Sequence, residues 1–307
     1  MATQPDTTLQ NVRRLLYMFG AVTQVELKAF LDVTSIDTDQ KKSEVRGAWK
    51  AAAEHFEEVQ QAERGVAETI ETRQLSEEYN RSLDSLKLDP LFASTFSSYP
   101  YQFEEVEIDK LVACQRTVHL EYVEKLKAEY ERLHRNLLDF CLMPAQGATP
   151  VRLGRTAQNA FTASSENPGL RFLGAVERPF SPEILKAQLP GGQPVHVVTL
   201  VLGYASSTIN GYRIGKRVVL NNGFHRMFAL RQLGVTYAPV VVQQITHPEL
   251  ELPQHVAELP REYLVGNPRP ALVKDFLDKR LTCEITQRSF LKAVQVGWGI
   301  NESLVPR

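Results

Sequence analysis

Apolar positions along the chain change their spacing about a third of the way in, from a helical recurrence to strand-like runs. From Thr8 to about Leu88 they recur every three or four residues. Leu9, Val12, Leu15, Leu16 and Phe19 share one face of a first predicted helix, which Gly20 ends. The longest helical piece has heptad spacing. Val45, Ala52, Val59 and Val66 form one series, and Trp49, Phe56 and Ile70 a second that Glu63 interrupts. Two packings satisfy this stripe: a helical hairpin within the subunit, or a short seam joining two subunits, which predicts a homodimer through the N-terminal helices. The segment from Gly20 to Asp32 has the outline of a helix-turn-helix, but its acidic surroundings and the lack of a basic recognition helix favour ordinary helix packing.

Pro90, Ser94, Ser97, Ser98 and Pro100 make residues 88–102 a predicted linker. The chain therefore reads as a helical domain over 1–99 and a mixed α/β domain over 100–303, an α+β fold class. In the second domain a long helix is expected from about Val118 to Phe140. A loop-rich insertion follows around 141–192, its first part, Met143–Asn167, rich in Pro, Gly, Thr, Ser and Asn. Strands are expected at Arg171–Val176, Val195–Leu202, Tyr212–Leu220 and Pro239–Ile245. Pro253–Asp278 reads as helical in pieces, and Thr282–Gly299 fits a strand pair as well as a helix.

Composition narrows the class. With 307 residues, 43% hydrophobic and 23% charged, the chain is long enough for two cored domains and ordinary for a soluble protein. No apolar run reaches the ~18 residues of a membrane span, and the N-terminus lacks the apolar stretch of a signal peptide, so a cytoplasmic location without membrane association is expected. Cys114, Cys141 and Cys283 are odd in number and widely spaced, which argues for reduced thiols and against a disulfide framework or zinc knuckle. Leu304-Val-Pro-Arg307 resembles the cleaved half of a thrombin site and is set aside. Residues 1–99 hold 11 Lys and Arg against 16 Asp and Glu, and the remainder 24 against 20. Neither part carries the clustered basic excess of a DNA-binding surface.

One stretch reads as a site. In Gly215–Val242 the apolar run Val218-Val219-Leu220 passes through the turn residues Asn221-Asn222-Gly223 into a helix marked by Met227, Leu230, Arg231 and Leu233, which Gly234 stops. His225 and Arg226 stand at the junction. A helix start presents free N–H groups and a positive dipole end, which suits an anion, and Arg226 would add a planar cation. The helical neighbourhood also gives each residue a structural reading: His225 as a hydrogen-bonded histidine, Asn221 and Asn222 as helix caps.

This strand–turn–His-Arg–helix pattern, ending in Leu-Gly and then Pro239-Val-Val-Val242, resembles the ParB/sulfiredoxin superfamily. Val106–Leu126 is similar to that family's opening strand and helix, and Pro194–Gly203 to the strand that pairs with the one entering the turn. The resemblance implies a nucleotide cradle with Gln115, Arg116 and Thr117 facing Asn222, Gly223, His225 and Arg226. It also implies ATP or another NTP as ligand; phosphoryl transfer would need Mg²⁺ held by carboxylates and a base, which makes Asp109 beside the first strand, Glu121 in the next helix and His225 the candidate catalytic groups. Asp109 and Glu121 also read as surface acids near helix starts. Phe224 stands where sulfiredoxins have a reactive Cys, and the Gly-Glu-Arg-Arg of partitioning ParB proteins is replaced by Gly-Phe-His-Arg, so neither sulfinic acid reduction nor a CTP switch carries over. Three functions stay open: an ATP-dependent phosphotransferase or NTPase, a DNA-associated ParB-like nuclease or clamp, and a non-catalytic sensor or assembly subunit. No His-Glu-x-x-His, Walker A or Gly-x-Ser-x-Gly motif is present.

Overall fold

The computed structural model describes residues 12–33, 39–143, 150–167, 169–181, 194–204, 206–288 and 291–303. The first stretch opens with β1 (Val12–Tyr17), α1 (Gln24–Val33), α2 (Asp39–Ala62), β2 (Thr72–Gln74), α3 (Asn80–Lys87) and α4 (Pro90–Thr95). It continues through β3 (Tyr101–Glu107), β4 (Thr117–His119), α5 (Leu120–Arg132) and α6 (Leu137–Cys141). Then come β5 (Arg152–Ala157), β6 (Ala160–Ser165), β7 (Leu170–Pro179) and β8 (His196–Tyr204). The hairpin β9 (Asn210–Ile214) and β10 (Arg217–Asn222) leads into α7 (Phe224–Gln232) and β11 (Tyr237–Ile245). The chain closes with α8 (Pro248–Glu251), β12 (His255–Val256), β13 (Leu259–Pro260), α9 (Arg261–Gly266), β14 (Cys283–Arg288) and β15 (Lys292–Gly297). The fold is mixed α+β.

The chain forms two compact units, and the division does not fall at residue 99. The first unit comprises residues 1–145 and 206–289, the second 146–205 and 290–307. Phe56, Leu83, Leu86, Phe92 and Phe96 from the N-terminal part share one buried core with Val218, Leu220, Val240, Val241, Phe224 and Phe228. Two residues of the α2 stripe are buried within the chain, Phe56 in this core and Ala52 in a second one with Tyr17, Phe19, Val22 and Leu27, each 4% exposed. The expected linker is ordered structure: Asp89 accepts a hydrogen bond from the Phe92 N–H and caps α4, whose Phe92 is core.

Within the first unit a five-stranded sheet runs in the order β10-β9-β11-β3-β2, with β11 parallel to β9 and antiparallel to β3. Val240, Val241 and Val242 on β11 are fully buried, as expected of a strand covered on both faces. Pro239 fits because β9 starts pairing only at Val241, whose N–H bonds Ile209 O. The N–H that Pro239 lacks would point to the same side, where β9 offers no partner.

Four other expectations are corrected. Val12–Tyr17 is not a helix but the middle strand of a sheet ordered β14-β1-β4. The expected helix Val118–Phe140 is broken by His134 and Arg135, both at positive φ, into α5 and α6. The strand expected over Tyr212–Leu220 is a hairpin turning at Gly215, φ +60°. The segment Pro194–Gly203 does not pair with the strand that enters the His-Arg turn; that place is taken by β9, while β8 pairs with β7 in the second unit. The second unit holds this ribbon and a sheet ordered β15-β6-β5. Residues 304–307 lie outside the described residues.

Candidate functional site

The junction between β10 and α7 is built as its sequence suggests, with a bulge between Leu220 and Asn222 ahead of Gly223. Gly223 takes φ +97° at the N-cap of α7, and a Cβ there would stand 2.6 Å from the Ile209 Cγ1. Glycine is required twice over, for the backbone angle and for the close approach. No side chain caps α7. The asparagines cap elsewhere: Asn222 Nδ2 donates to Ser206 O and Thr208 O at 3.0 Å each, and Asn221 Nδ2 to Asn210 Oδ1 at 2.8 Å. They tie the turn to the segment leading into β9 and to the first residue of that strand.

The loop after β3 does lie against this turn. Cys114 Sγ is 3.9 Å from Asn221 O, and the His119 N–H donates to His225 Nε2 at 3.1 Å. That bond makes Nε2 an acceptor, so the neutral His225 ring carries its proton on Nδ1. Burial, with His119 alongside, pushes its pKa down to about 3. The His119 ring centroid lies 5.4 Å away and that of Tyr122 also 5.4 Å, which makes a small aromatic cluster. His119 itself is shifted down by burial, and its Nδ1 is buried with no hydrogen-bond partner among the described residues.

Arg226 is a main-chain clamp. Its Nη1 donates to Phe140 O at 3.0 Å and Cys141 O at 3.3 Å, and its Nη2 to Ser207 O. Three of the five N–H donors of a guanidinium are thereby spent on carbonyls at the C-terminal end of α6 and just before β9. Burial lowers its pKa, as expected of a cation with no ion-pair partner among the described residues.

The remaining expected residues scatter. Gln115 Nε2 donates to Thr117 O at 2.5 Å, a bond within the loop, and Thr117 pairs with Tyr17 in the sheet of β1 and β4. Arg116 is 7% exposed and turns toward Tyr263, its guanidinium 4.7 Å over that ring, with Glu26 at 3.8 Å and its Nε unpartnered. Asp109 is held by Arg231 at 2.5 and 3.2 Å. Glu121 accepts from the Arg14 main chain at 3.1 and 3.2 Å and from Arg14 Nε at 3.1 Å. The two carboxylates are thus committed to different arginines, and among the described residues no group of three or more His, Cys, Asp or Glu is placed to hold a metal ion. Asp109 and Glu121, each held by an arginine, do not fit a protein-held Mg²⁺.

Sequence reasoning missed His119 and Glu258. His119 sits in an alternating strand, Thr-Val-His, that gives no sign of its neighbour 106 residues on. Glu258 Oε2 accepts the Arg116 N–H at 3.1 Å, and burial pushes its carboxyl up against the opposing effect of Arg116. No local signal marks it. Burial also pushes the Cys114 and Cys141 thiols up to about 12, so neither is a ready nucleophile. A surface recess lined by Glu57, Gln60, Arg64, Glu262, Tyr263 and Asn267 runs beside α2 and contains none of the expected site residues. Among the described residues no helix is long and apolar enough to cross a membrane. No protein-family model matches the chain, and no curated protein or solved structure does either.

Proposed function

We propose that this chain is a ParB/sulfiredoxin-like nucleotide-binding protein in which the first-turn N–H groups of α7 receive the phosphates, while His225 and Arg226 build the turn instead of reacting. The observation that carries this reading is the juxtaposition of the Cys114–His119 loop with a nine-residue helix that begins on a left-handed glycine and has no side-chain cap. An uncapped helix start facing a loop is a ready anion site. ATP or another NTP is the ligand that the resemblance implies, and any Mg²⁺ would arrive with the nucleotide. A catalytic cycle draws less support, because proton transfer by His225 requires a ring freed from the His119 N–H, and Asp109 and Glu121 are each paired with an arginine.

The non-catalytic sensor or assembly subunit is the second reading, and the commitment of Arg226 to three carbonyls favours it. A DNA-associated nuclease or clamp is the third, with no basic cluster behind it. The test is calorimetric titration of ATP, CTP, GTP and ADP, with and without Mg²⁺, into the wild-type chain and into Gln115→Glu, which adds a negative charge to the loop. Binding that the variant weakens about tenfold is expected. Absence of binding by the wild-type chain sinks the nucleotide reading and leaves the assembly subunit; steady phosphate release would restore catalysis.

A further inference from the structure

The sheet of the second unit runs in the order β15-β6-β5, and its registers gather one set of side chains on one face. Arg155 stands beside Phe161, Phe161 beside Val296, Leu153 beside Ala163, and Lys292 beside Ser165. Alternation along each strand then puts Leu153, Arg155, Phe161, Lys292 and Val296 on the same face. Trp298, two residues past Val296, continues that face, its ring stacked on Phe161 at 5.7 Å between centroids and 22° between planes. The Arg155 guanidinium lies 5.4 Å from the centroid of the same Phe161 ring. Arg155 comes from the strand on one side of β6 and Trp298 from the strand on the other, so three flat π groups stand in a row across the sheet.

The row is held in place and open to solvent at once. The Trp298 N–H donates to Asn159 O at 3.0 Å and Asn159 Nδ2 donates to Trp298 O at 2.7 Å, which fastens the main chain of Trp298 to the turn between β5 and β6. A tryptophan that only completed a core would be covered. Trp298 is 37% and Leu153 65% exposed, and all six residues of β5 are exposed. The charge is one-sided too. β5, β6 and β15 carry Arg152, Arg155 and Lys292 and no Asp or Glu, in a chain whose acids and bases are nearly equal in number. Glu166 and Glu302, the nearest acids along the sequence, lie beyond the strand ends.

We propose that this face binds single-stranded nucleic acid, with bases stacked on Trp298 and Phe161 and phosphates beside Arg155 and Lys292. An unpaired base offers a π face that a duplex keeps inside its own stack, so an exposed aromatic row selects single strands and tolerates any sequence. Stacking on Phe161 occupies the plane of the Arg155 guanidinium and leaves its N–H rim for phosphate. The absence of acids from the three strands spares the phosphates repulsion there. Because stacking supplies part of the affinity, two or three cations are enough, and the basic cluster of a duplex reader is not required. The fastening of Trp298 orders the platform before the ligand arrives, which lowers the cost of binding. The site lies in the second unit and uses no residue of α7, so it is independent of the nucleotide reading.

The experiment is fluorescence anisotropy of an end-labelled oligothymidylate of about 12 nucleotides, titrated with the full chain at low salt beside a duplex of equal length. The single strand is expected to bind and the duplex to bind more weakly. Trp298→Ala is expected to weaken binding about tenfold, the loss of one stacked base. Arg155→Gln and Lys292→Gln, both at exposed positions, should each lower the slope of log affinity against log salt by about 0.7, and they carry the test if Trp298→Ala fails to fold. Stacking has its own signature: in Trp49→Phe, where Trp298 is the remaining tryptophan, the bound oligonucleotide should quench the fluorescence. Trp298→Ala should keep the mononucleotide binding of the wild type, so the two readings fail separately. Absence of binding at low salt overturns the proposal, and so does binding without quenching. A duplex bound as tightly as the single strand would mark a charged patch only and overturn it as well.

Discussion

Arg226→Ala separates a structural arginine from a ligand-binding one. The substitution removes the donors that reach Phe140 O, Cys141 O and Ser207 O. Hydrogen bonds from a charged donor contribute about 1.5–3 kcal/mol each, and an orphaned buried carbonyl costs about 1–3. Two effects reduce the sum. The site is partly exposed, so water can reach some of the freed carbonyls, and truncation also removes the desolvation penalty that lowers the guanidinium pKa. The expected net loss is about 2–4 kcal/mol, a large share of the ~5–15 that holds a domain together. In urea this moves the unfolding midpoint down by about 1–2 M at a slope near 2 kcal/mol/M. Arg226→Lys keeps the charge, but its single ammonium cannot span the three acceptors, and about half the loss should remain. The readout is tryptophan fluorescence and far-ultraviolet circular dichroism across the urea transition, together with nucleotide titration of the folded variant. A loss below about 1 kcal/mol, combined with abolished nucleotide binding, would refute the clamp and make Arg226 a phosphate contact.

Two further expectations follow from the same core. His225 is depressed to about 3 when folded against an unfolded value near 6.5, so the unfolded chain binds the proton more readily; the stabilisation is complete above pH 6.5 and declines as pH falls toward 3. Urea midpoints measured between pH 7 and pH 4 should fall in the wild type and fall less steeply in His225→Gln, whose amide oxygen can still accept the His119 N–H; parallel slopes would show that His225 is not the group responsible. Phe56→Ala should cost about 3–5 kcal/mol by opening a cavity beneath Gly20, while leaving the mass measured by light scattering unchanged; dissociation without loss of stability would return Phe56 to a subunit seam.

Local patterns determined much of this protein. The His-Arg junction, the left-handed Gly223, helix α7 and the buried strand β11 were all legible, because a turn residue, a helical period and an apolar run are written in neighbouring positions. The mixed α+β class followed from the same signals. Where the expectation failed for the first segment, the deciding partners lay far away along the chain. Leu15, Leu16 and Phe19 suit a helical face, yet Val12–Tyr17 became a strand because β14, some 270 residues later, and β4 supply the hydrogen bonds on its two edges. The heptads of α2 read equally as a seam or as a face turned inward, and only the tertiary structure shows where Phe56 and Ala52 are buried: Phe56 in the core with Phe92 and Phe96, Ala52 in a second one with Tyr17, Phe19, Val22 and Leu27.

The same holds for the site. The sequence placed His225 and Arg226 at one junction, but their partners, the His119 N–H and the carbonyls of Phe140, Cys141 and Ser207, are announced by no spacing near the motif. A histidine or guanidinium open to water is available to a ligand; the same groups bonded to main chain have those donors and acceptors already spent. Sequence names the donors and acceptors, and tertiary structure alone decides which of them are already satisfied.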